Sequence, residues 1–559
     1  MITFTRLPEL LLSNAVNFPE HGIGYVHSDR SVQFETFPEL LVHARTILGG
    51  LQNAGISQGD KIILSLDGSS EIIPALWACF LGGIVPALLQ PPVSFSSYNP
   101  AAEKAEKVFR QLNSPLIVVS RRHIDSWKSS QIHEDKLIDY ASLSNDFPFE
   151  EADHLTSNDL ALIQFSSGST GDPKGVMLTH NNVLFNIKDI IKGIHLGSED
   201  VSVNWMPLYH DMGLFGFHIT PVCTGTTQYF VEPADFVKDP FLWLDMISSK
   251  GGTITGCPNF GQMLVNRHLS RKPGKEWDFS SLRIIFNGAE PISVPIMNEF
   301  LDRLKPFGLD PKAMFPAYGM AECTLAVTFP PIDKGAAVIS FDREKLLKEG
   351  KAVPVDTDHQ DSIQLVNLGR SLEHCKISIR DDEGKSVPEA TVGHLLVKGE
   401  NVTSGYFRNP AISVESFSGE WFRTGDLGFI LGGDFFITGR AKDIIFINGV
   451  NYYAHDLETL AIGIPEVVFG KIVIAGYFDE EEGRDKIIVF LVGSANEETN
   501  VLFRKIKDHF TKMTGLAIDT FIPVKSSDIP RTSSGKIQRY RMVNRFLKGE
   551  FPAVVKLNN

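Results

Sequence analysis

The densest set of reactive side chains is the run F-S-S-G-S-T-G-D-P-K-G-V at residues 165–176. Gly168, Gly171 and Gly175 carry no Cβ, so the backbone can come close to a bound anion. Ser166, Ser167, Ser169 and Thr170 add hydroxyl donors, and Lys174 adds a cation. Donors and a cation packed this closely are suited to holding phosphate. The order of residues is not G-x-x-x-x-G-K-[ST], so the chemistry of P-loop ATPases and kinases is not indicated. The five cysteines, Cys79, Cys223, Cys257, Cys323 and Cys375, are scattered, with no C-x-x-C pair. That excludes a disulfide framework and a zinc module, and fits a reducing, cytoplasmic setting.

A phosphate loop works only where strands and helices hold it. Residues 161–165 read as a strand running into the loop, with an apolar helix near Asn181 beyond it. Upstream, Phe37, Leu40, Leu41, Ala44, Leu48 and Leu51 recur at helical spacing, with Gly55 as a stop. Residues 61–66 and 116–120 read as strands, with a charged helix near 101–112. Strands alternating with helices predict an α/β fold with parallel sheets covered on both faces. Residues 72–89 are 18 in a row without a charge, long enough for a membrane candidate. Pro74, Gly82, Gly83 and Pro86 interrupt them, so a buried helix at 71–81 followed by a buried strand is expected, and no membrane span. The N-terminus lacks the basic and apolar regions of a signal peptide. After about residue 369 come shorter Val- and Ile-rich strands at 376–380, 395–398 and 435–438, a β-rich texture. Beyond 439–443 a small α+β unit is expected, with strands at 471–476 and 486–492 and a helix near 500–514.

With these residues in place, the chain resembles the adenylate-forming superfamily of acyl-CoA synthetases, adenylation domains and luciferase-like ligases. Its signature [ST]-[SG]-G-[ST]-T-G-x-P-K-G is met in full by residues 166–175. Five more motifs follow in the family's order: N-G-A-E-P at 287–291, Y-G-M-A-E at 318–322, W-F-R-T-G-D-L-G at 421–428, G-R-A-K-D at 439–443 and P-R-T-S-S-G-K at 530–536. The resemblance implies attack of a carboxylate on the α-phosphorus of ATP, giving acyl-AMP and pyrophosphate, a reaction driven by positioning and cationic stabilisation. It implies Lys536 as the catalytic lysine, and Glu322 with Thr170 as the Mg²⁺ contacts, oxygen ligands that suit a hard cation. Asp426 would hold the ribose hydroxyls with Arg440 beside it. Tyr318, Gly319 and Met320 with the Gly288-Ala289-Glu290 backbone would form the adenine slot, and residues 166–171 with Lys174 the phosphate cradle. Lys442 falls at the hinge about which the family's small C-terminal domain rotates between its two half-reactions. The expected organisation is a large N-terminal domain (1–440) with a β-rich subdomain at about 369–438, a hinge at 441–443, and a mobile α+β C-terminal lid (444–559).

The choice of acid is read from N-W-M-P-L-Y-H-D-M-G-L at 204–214. Amino-acid adenylation domains usually carry an aromatic-Asp-x-Ser here, whose carboxylate pairs with the substrate ammonium. This chain has Trp205 and Met206, an apolar lining that would gain about 0.8 kcal/mol per buried CH₂ of an alkyl chain. His210, following Pro-Leu-Tyr, and C-P-N-F at 257–260 resemble fatty acyl-AMP ligases, which implies His210 as a substrate-gate residue and Asn259 and Phe260 as pocket wall. Residues 448–458 resemble those ligases' G-x-N-x-x-P-x-D-[IL]-E, with Ala454 in place of Pro. The stretch 328–367 is longer than in most acyl-CoA synthetases, and the ligases carry an insertion there that hinders thioester formation with CoA.

At 559 residues and with 43% hydrophobic residues the chain is a globular protein of two or more folding units. A net charge of −14 argues against a nucleic-acid partner. The charge is uneven: residues 501–559 carry +8 and the remainder −22. The predicted activity is therefore ATP- and Mg²⁺-dependent activation of a medium- or long-chain fatty acid, with acyl transfer to the phosphopantetheine thiol of an acidic acyl carrier protein. An acyl-CoA synthetase using free CoA, an enzyme adenylating another carboxylic acid, and a catalytically silent acyl- or nucleotide-binding protein are the alternatives.

Overall fold

The computed structural model describes residues 4–92, 95, 99–144, 147–166, 172–271, 275–359, 361–447, 450–479, 482, 484–531 and 537–555. Two mainly parallel sheets dominate the chain up to Pro316. The larger has seven strands in the order Met314–Pro316, Ile284–Asn287, Ile254–Gly256, Val201–Asn204, Thr227–Val231, Gly22–Val26 and Val32–Thr36. All its pairs are parallel except the last, a hairpin at the edge. The second is a four-stranded parallel sheet in the order Val85–Leu88, Lys61–Ser65, Leu116–Val119 and Leu137–Asp139. Parallel strands need crossover helices on both faces, which is why both sheets read as apolar runs rather than alternating ones.

The uncharged stretch resolves into the helix Ser69–Leu81 and the strand Val85–Leu88. The helix buries all of its residues but Ser70 and Glu71 and packs on Phe37–Asn53, which a Thr36–Glu39 capping box starts. No described helix is long and apolar enough to cross a membrane. Trp77, from this helix, donates through Nε1 to Nε2 of the fully buried His218 at 2.9 Å, and His218 Nδ1 lies 3.0 Å from Gln228 Oε1. Because indole can only donate, the His218 proton is on Nδ1.

One local reading is corrected. The strand at 161–165 does not lead through its loop directly into a helix: Leu160–Ser166 pairs antiparallel with a second strand, Lys174–Thr179, and the helix His180–Ile194 begins only after it. Val176 and Leu178 are wholly buried, and their pairing satisfies backbone groups that Leu160–Ser166 would otherwise leave open. The glycine-rich segment thus joins the two arms of a hairpin.

The β-rich part is a five-stranded antiparallel sheet of Cys375–Arg380, Gly393–Gly399, Trp421–Leu431, Phe417–Ser418 and Asp434–Arg440. Before it, Val338–Asp342 and Ser362–Val366 form a hairpin whose Phe341, Leu346 and Ile363 pack with Phe429 and Phe436. From Ile444 onward the chain has cores of its own. The sheet Ile472–Asp479, Arg484–Val492 and Thr520–Val524 is covered by Ala454–Ile462, Glu497–Thr514 and Arg539–Leu547.

Candidate active site

A cavity of about 1130 Å³ lies between the sheets and the C-terminal part. Its walls are strand ends and the turns that follow them, the usual place for ligands in open α/β sheets. Two glycines mark where backbone closes on backbone. A Cβ on Gly288 would stand 2.4 Å from the Ala317 carbonyl oxygen, and one on Gly319 would stand 1.8 Å from that of Leu325. Ala289 takes a positive φ of 70° and Thr324 one of 65°, rare for non-glycine residues and, for Thr, sterically strained. Thr324 closes the short turn Ala321–Cys323 that carries Glu322, and its hydroxyl donates to the Asn401 carbonyl at 3.0 Å.

On one wall Asp426 is the focus. Tyr318 donates its hydroxyl to Asp426 Oδ2 at 2.6 Å, and Arg440 Nε donates to Oδ1 at 3.0 Å. Trp421–Leu431 and Asp434–Arg440 put Asp426 opposite Arg440 in register. Burial, with Asp426 adjacent, pushes the Tyr318 phenol well above its ordinary range, and the same carboxylate holds Arg440 protonated. The Tyr318 ring lies against Phe435.

On a second wall Glu322 is buried, and its Oε1 accepts from the Tyr406 hydroxyl at 2.9 Å. Burial raises its pKa, while Tyr406, Arg440 and Lys174 oppose that rise. Lys174 Nζ sits 5.1 Å above the Tyr406 ring, a cation–π arrangement. Tyr406 is the residue that sequence reasoning missed. The signal was the Gly405-Tyr406 pair, which falls between the motifs at 318–322 and 421–428. A buried carboxylate with one oxygen engaged and a cavity in front of it suits a hard divalent cation such as Mg²⁺.

A third region is apolar: Met212, Phe217, Phe286, Leu325 and Phe329 line it, with Ile363 and Leu365 from the hairpin strand Ser362–Val366. His210 lines the cavity beside Asp211, Nδ1 to Oδ1 being 2.8 Å, and Gln164 Nε2 holds the Tyr209 carbonyl at 3.0 Å. Lys442, Asp443, Arg531, Ile537 and Arg539 bring the C-terminal part to the same cavity.

The structure therefore gathers Lys174, His210, Gly288, Ala289, Glu290, Tyr318, Gly319, Met320, Glu322, Asp426, Arg440 and Lys442 around one space. Ser166 ends the strand Leu160–Ser166. Ser167, Gly168, Ser169, Thr170, Gly171 and Lys536 lie outside the described residues. Arg531 and Ile537, which flank Lys536, line the cavity and bridge each other. Four expected pocket residues are not among the cavity's lining. Trp205 stacks on Phe236 at 3.8 Å between centroids, and Met206 is buried in the same core. Asn259 is spent on the Pro291 carbonyl and the Ser293 N–H, and Phe260 packs against that core. All are apolar or amide side chains, so residue type alone did not separate the first layer from the one behind it.

Comparison with known proteins agrees with this geometry. The AMP-binding enzyme family matches residues 17–407. A medium-chain-fatty-acid–[acyl-carrier-protein] ligase of Teredinibacter turnerae, TtuA, is 31% identical over 408 residues, covering 69% of this chain and 63% of TtuA. A long-chain-fatty-acid–AMP ligase of Mycobacterium marinum, FadD26, is 28% identical over 585 residues, covering 98% of each chain. Among solved structures, one from work on the fatty acyl-adenylate ligases of E. coli and L. pneumophila superposes with a TM-score of 0.89 at 30% identity, over 98% of this chain and 99% of that one. With six motifs in order and a family match over most of its length, the chain belongs to the AMP-binding, adenylate-forming enzymes, and its likeness within them is to the fatty acyl-AMP ligases.

Proposed function

We propose that this enzyme activates a medium- or long-chain fatty acid as its acyl-adenylate and passes the acyl group to the phosphopantetheine thiol of an acidic acyl carrier protein in the cytoplasm. The observation that carries this is a single cavity in which an apolar region adjoins the Asp426–Tyr318–Arg440 and Glu322–Tyr406 groups. The alkyl chain lies against Phe217, Leu325 and Phe329 and leaves water, while its carboxylate stays at the polar end. There a carboxylate oxygen attacks the α-phosphorus of ATP, the bond to the bridging oxygen breaks, and pyrophosphate leaves. Asp426 and Arg440 fix the ribose and Tyr318 the base, so the reacting atoms meet with little loss of entropy. Lys536 neutralises charge on the carboxylate and the phosphoryl oxygens. Mg²⁺, when bound at Glu322 and Thr170, supplies electrostatic relief of phosphate charge. In the second step the thiol sulfur attacks the acyl carbonyl and AMP leaves.

The preference for a carrier over CoA is supported by one buried ion pair. Arg343, in the segment 328–367, donates through Nη1 to Asp456 of the helix Ala454–Ile462, and through Nη2 to the Ser362 carbonyl at 2.8 Å. Both side chains are almost fully buried. Leu347, from the same segment, packs with Leu427 and Tyr453. The segment therefore grips the C-terminal part across the junction about which rotation would occur, with Lys442 as the hinge.

The test is mass spectrometry of the products from enzyme, ATP, Mg²⁺ and dodecanoate, with and without CoA. Acyl-AMP that persists in the presence of CoA is the expected result. Conversion to dodecanoyl-CoA would make the enzyme a synthetase.

A further inference from the structure

The helix Pro100–Gln111 has no part in the chemistry above, yet one of its faces brackets the phosphate loop. Lys104 Nζ donates to the carbonyl of Phe165, just before the loop, at 2.9 Å. Lys107, one turn on, lies 2.7 Å from Asp172 Oδ1, just after it. Gln111, a further turn on, donates to the Phe407 carbonyl at 2.8 Å. The face thus spans the loop's two ends and reaches the segment that carries Tyr406 and Arg408.

Beyond this face is a cleft of about 280 Å³, whose lining includes Lys107, Arg110, Asp172, Pro173, Arg408 and Asn409. Asp172, Pro173 and Asn409 line the large cavity as well, so the two spaces share a wall. Three cations face one carboxylate there. Lys107 is matched by Asp172 and Glu103, whereas Arg110 and Arg408 have no ion pair among the described residues. Arg408 holds a positive φ of 52° and lies over the Phe407 ring, 5.8 Å from its centroid. A non-glycine residue kept in that backbone region is strained, and such residues concentrate at functional sites. One turn before Lys107, burial lowers the Lys104 ammonium to about 8. The volume is below the roughly 300–1,000 Å³ of pockets for drug-sized ligands, which points to a small anion.

We propose that this cleft is a second anion site, a vestibule that takes a polyphosphate group passing between the reaction cavity and solvent on the phosphate-loop side. Its occupant is the pyrophosphate released by adenylation, which rests on the activity proposed above. Guanidinium groups suit this task, since they bind phosphate oxygens through a planar fork of donors. A site outside the reaction cavity would draw the product away and expose it to solvent.

The test is a double variant, Arg110→Gln with Arg408→Asn. Both residues are exposed, and Asn tolerates a positive φ better than most side chains. Calorimetric titration with pyrophosphate, without acid or nucleotide, is expected to find two sites per chain in the natural enzyme and one in the variant, or a second site weakened at least tenfold. An unfolding temperature matching that of the natural enzyme shows that the variant is intact. Parallel titrations with AMP and with an ATP analogue whose α,β-bridge cannot be cleaved separate the two sources of the anion. Unchanged affinity for both supports released pyrophosphate as the occupant. A tenfold loss for the analogue alone keeps the anion site but assigns it to the tail of entering ATP. Pyrophosphate binding identical in the two proteins overturns the proposal. Because these titrations need no turnover, they stand apart from the dodecanoate assay that tests the activity itself.

Discussion

Tyr406 shows how much one side chain can decide. Its hydroxyl bonds Glu322 and its ring carries Lys174, so one side chain touches both a carboxylate and a cation of the site. A hydrogen bond to a charged group contributes about 1.5–3 kcal/mol. Tyr406→Phe keeps the ring and removes that bond, so the Mg²⁺ concentration for half-maximal ATP–pyrophosphate exchange is expected to rise about tenfold, by the rule that 1.4 kcal/mol is a factor of ten. An unchanged Mg²⁺ requirement would show that Glu322 needs no support from Tyr406. Lys536 is tested by separating the half-reactions. Lys536→Ala is expected to lose at least a hundredfold in acyl-AMP formation while spending preformed acyl-AMP nearly normally. Equal loss in both would remove its assignment to the first step.

At the scale of elements, three contacts make testable statements. The helix Ser69–Leu81 meets Met212–Ile219 through Trp77 and His218, and the N–H of Leu7 reaches Nδ1 of His180 at 3.2 Å. Burial holds both imidazoles down at about 4, against 6.5 when free. Above pH 6.5 both are neutral in either state and contribute no pH dependence. As the pH falls from 6.5 towards 4 the unfolded chain takes up protons that the folded chain refuses, so stability drops by about 1.4 kcal/mol per pH unit for each histidine. Below about 4 the effect levels off. Thermal unfolding between pH 7.5 and 5 checks this, and His218→Gln, which can still accept from Trp77, is expected to flatten the slope by one proton. The third contact is the hairpin's Arg343 on Asp456. Removing one partner of a buried pair costs about 3–5 kcal/mol, because the other charge is left uncompensated. Here that cost falls on the arrangement in which the two parts are locked. Arg343→Met is expected to let CoA accept the acyl group, with dodecanoyl-CoA rising at least tenfold above the natural enzyme's background. No gain would mean that the hairpin does not restrain the C-terminal part through this pair.

Over the whole molecule, charge is divided rather than mixed: the last 59 residues carry +8 against −22 elsewhere. Many of the cations there are already paired, as Arg539 is with Glu458 and Arg545 with Glu550. Lys512, Lys525 and Lys548 are exposed, and Lys505, bound to Glu466, is exposed too. Charge complementarity acts chiefly on encounter rates and is screened by salt. Reversing these four lysines to Glu is expected to slow acyl transfer to an acidic carrier about tenfold at low salt, to flatten its salt dependence, and to leave acyl-AMP formation unchanged. Unaltered transfer kinetics would remove the C-terminal part as the docking surface.

What the sequence determined by itself was local and periodic. Alternating apolar strands and helices are written within ten to twenty residues, so the parallel α/β sheets, the β-rich part and the buried helix Ser69–Leu81 were legible before any coordinates. Glu322, Asp426, Tyr318 and Arg440 were expected together through the motifs the chain shares with its family, and they do line one cavity. Tertiary structure alone decided what faces what. The strand Lys174–Thr179 turned a strand–loop–helix reading into a hairpin, since a partner strand satisfies backbone groups that no local pattern counts. Trp205 and Asn259 went to the layer behind the cavity, because burial has the same sequence signature in the first layer and in the second. Tyr406 reached Glu322 across 84 residues, and Arg343 reached Asp456 across 113. Contacts at that separation depend on how sheets and junctions pack in three dimensions, which no spacing along the chain records.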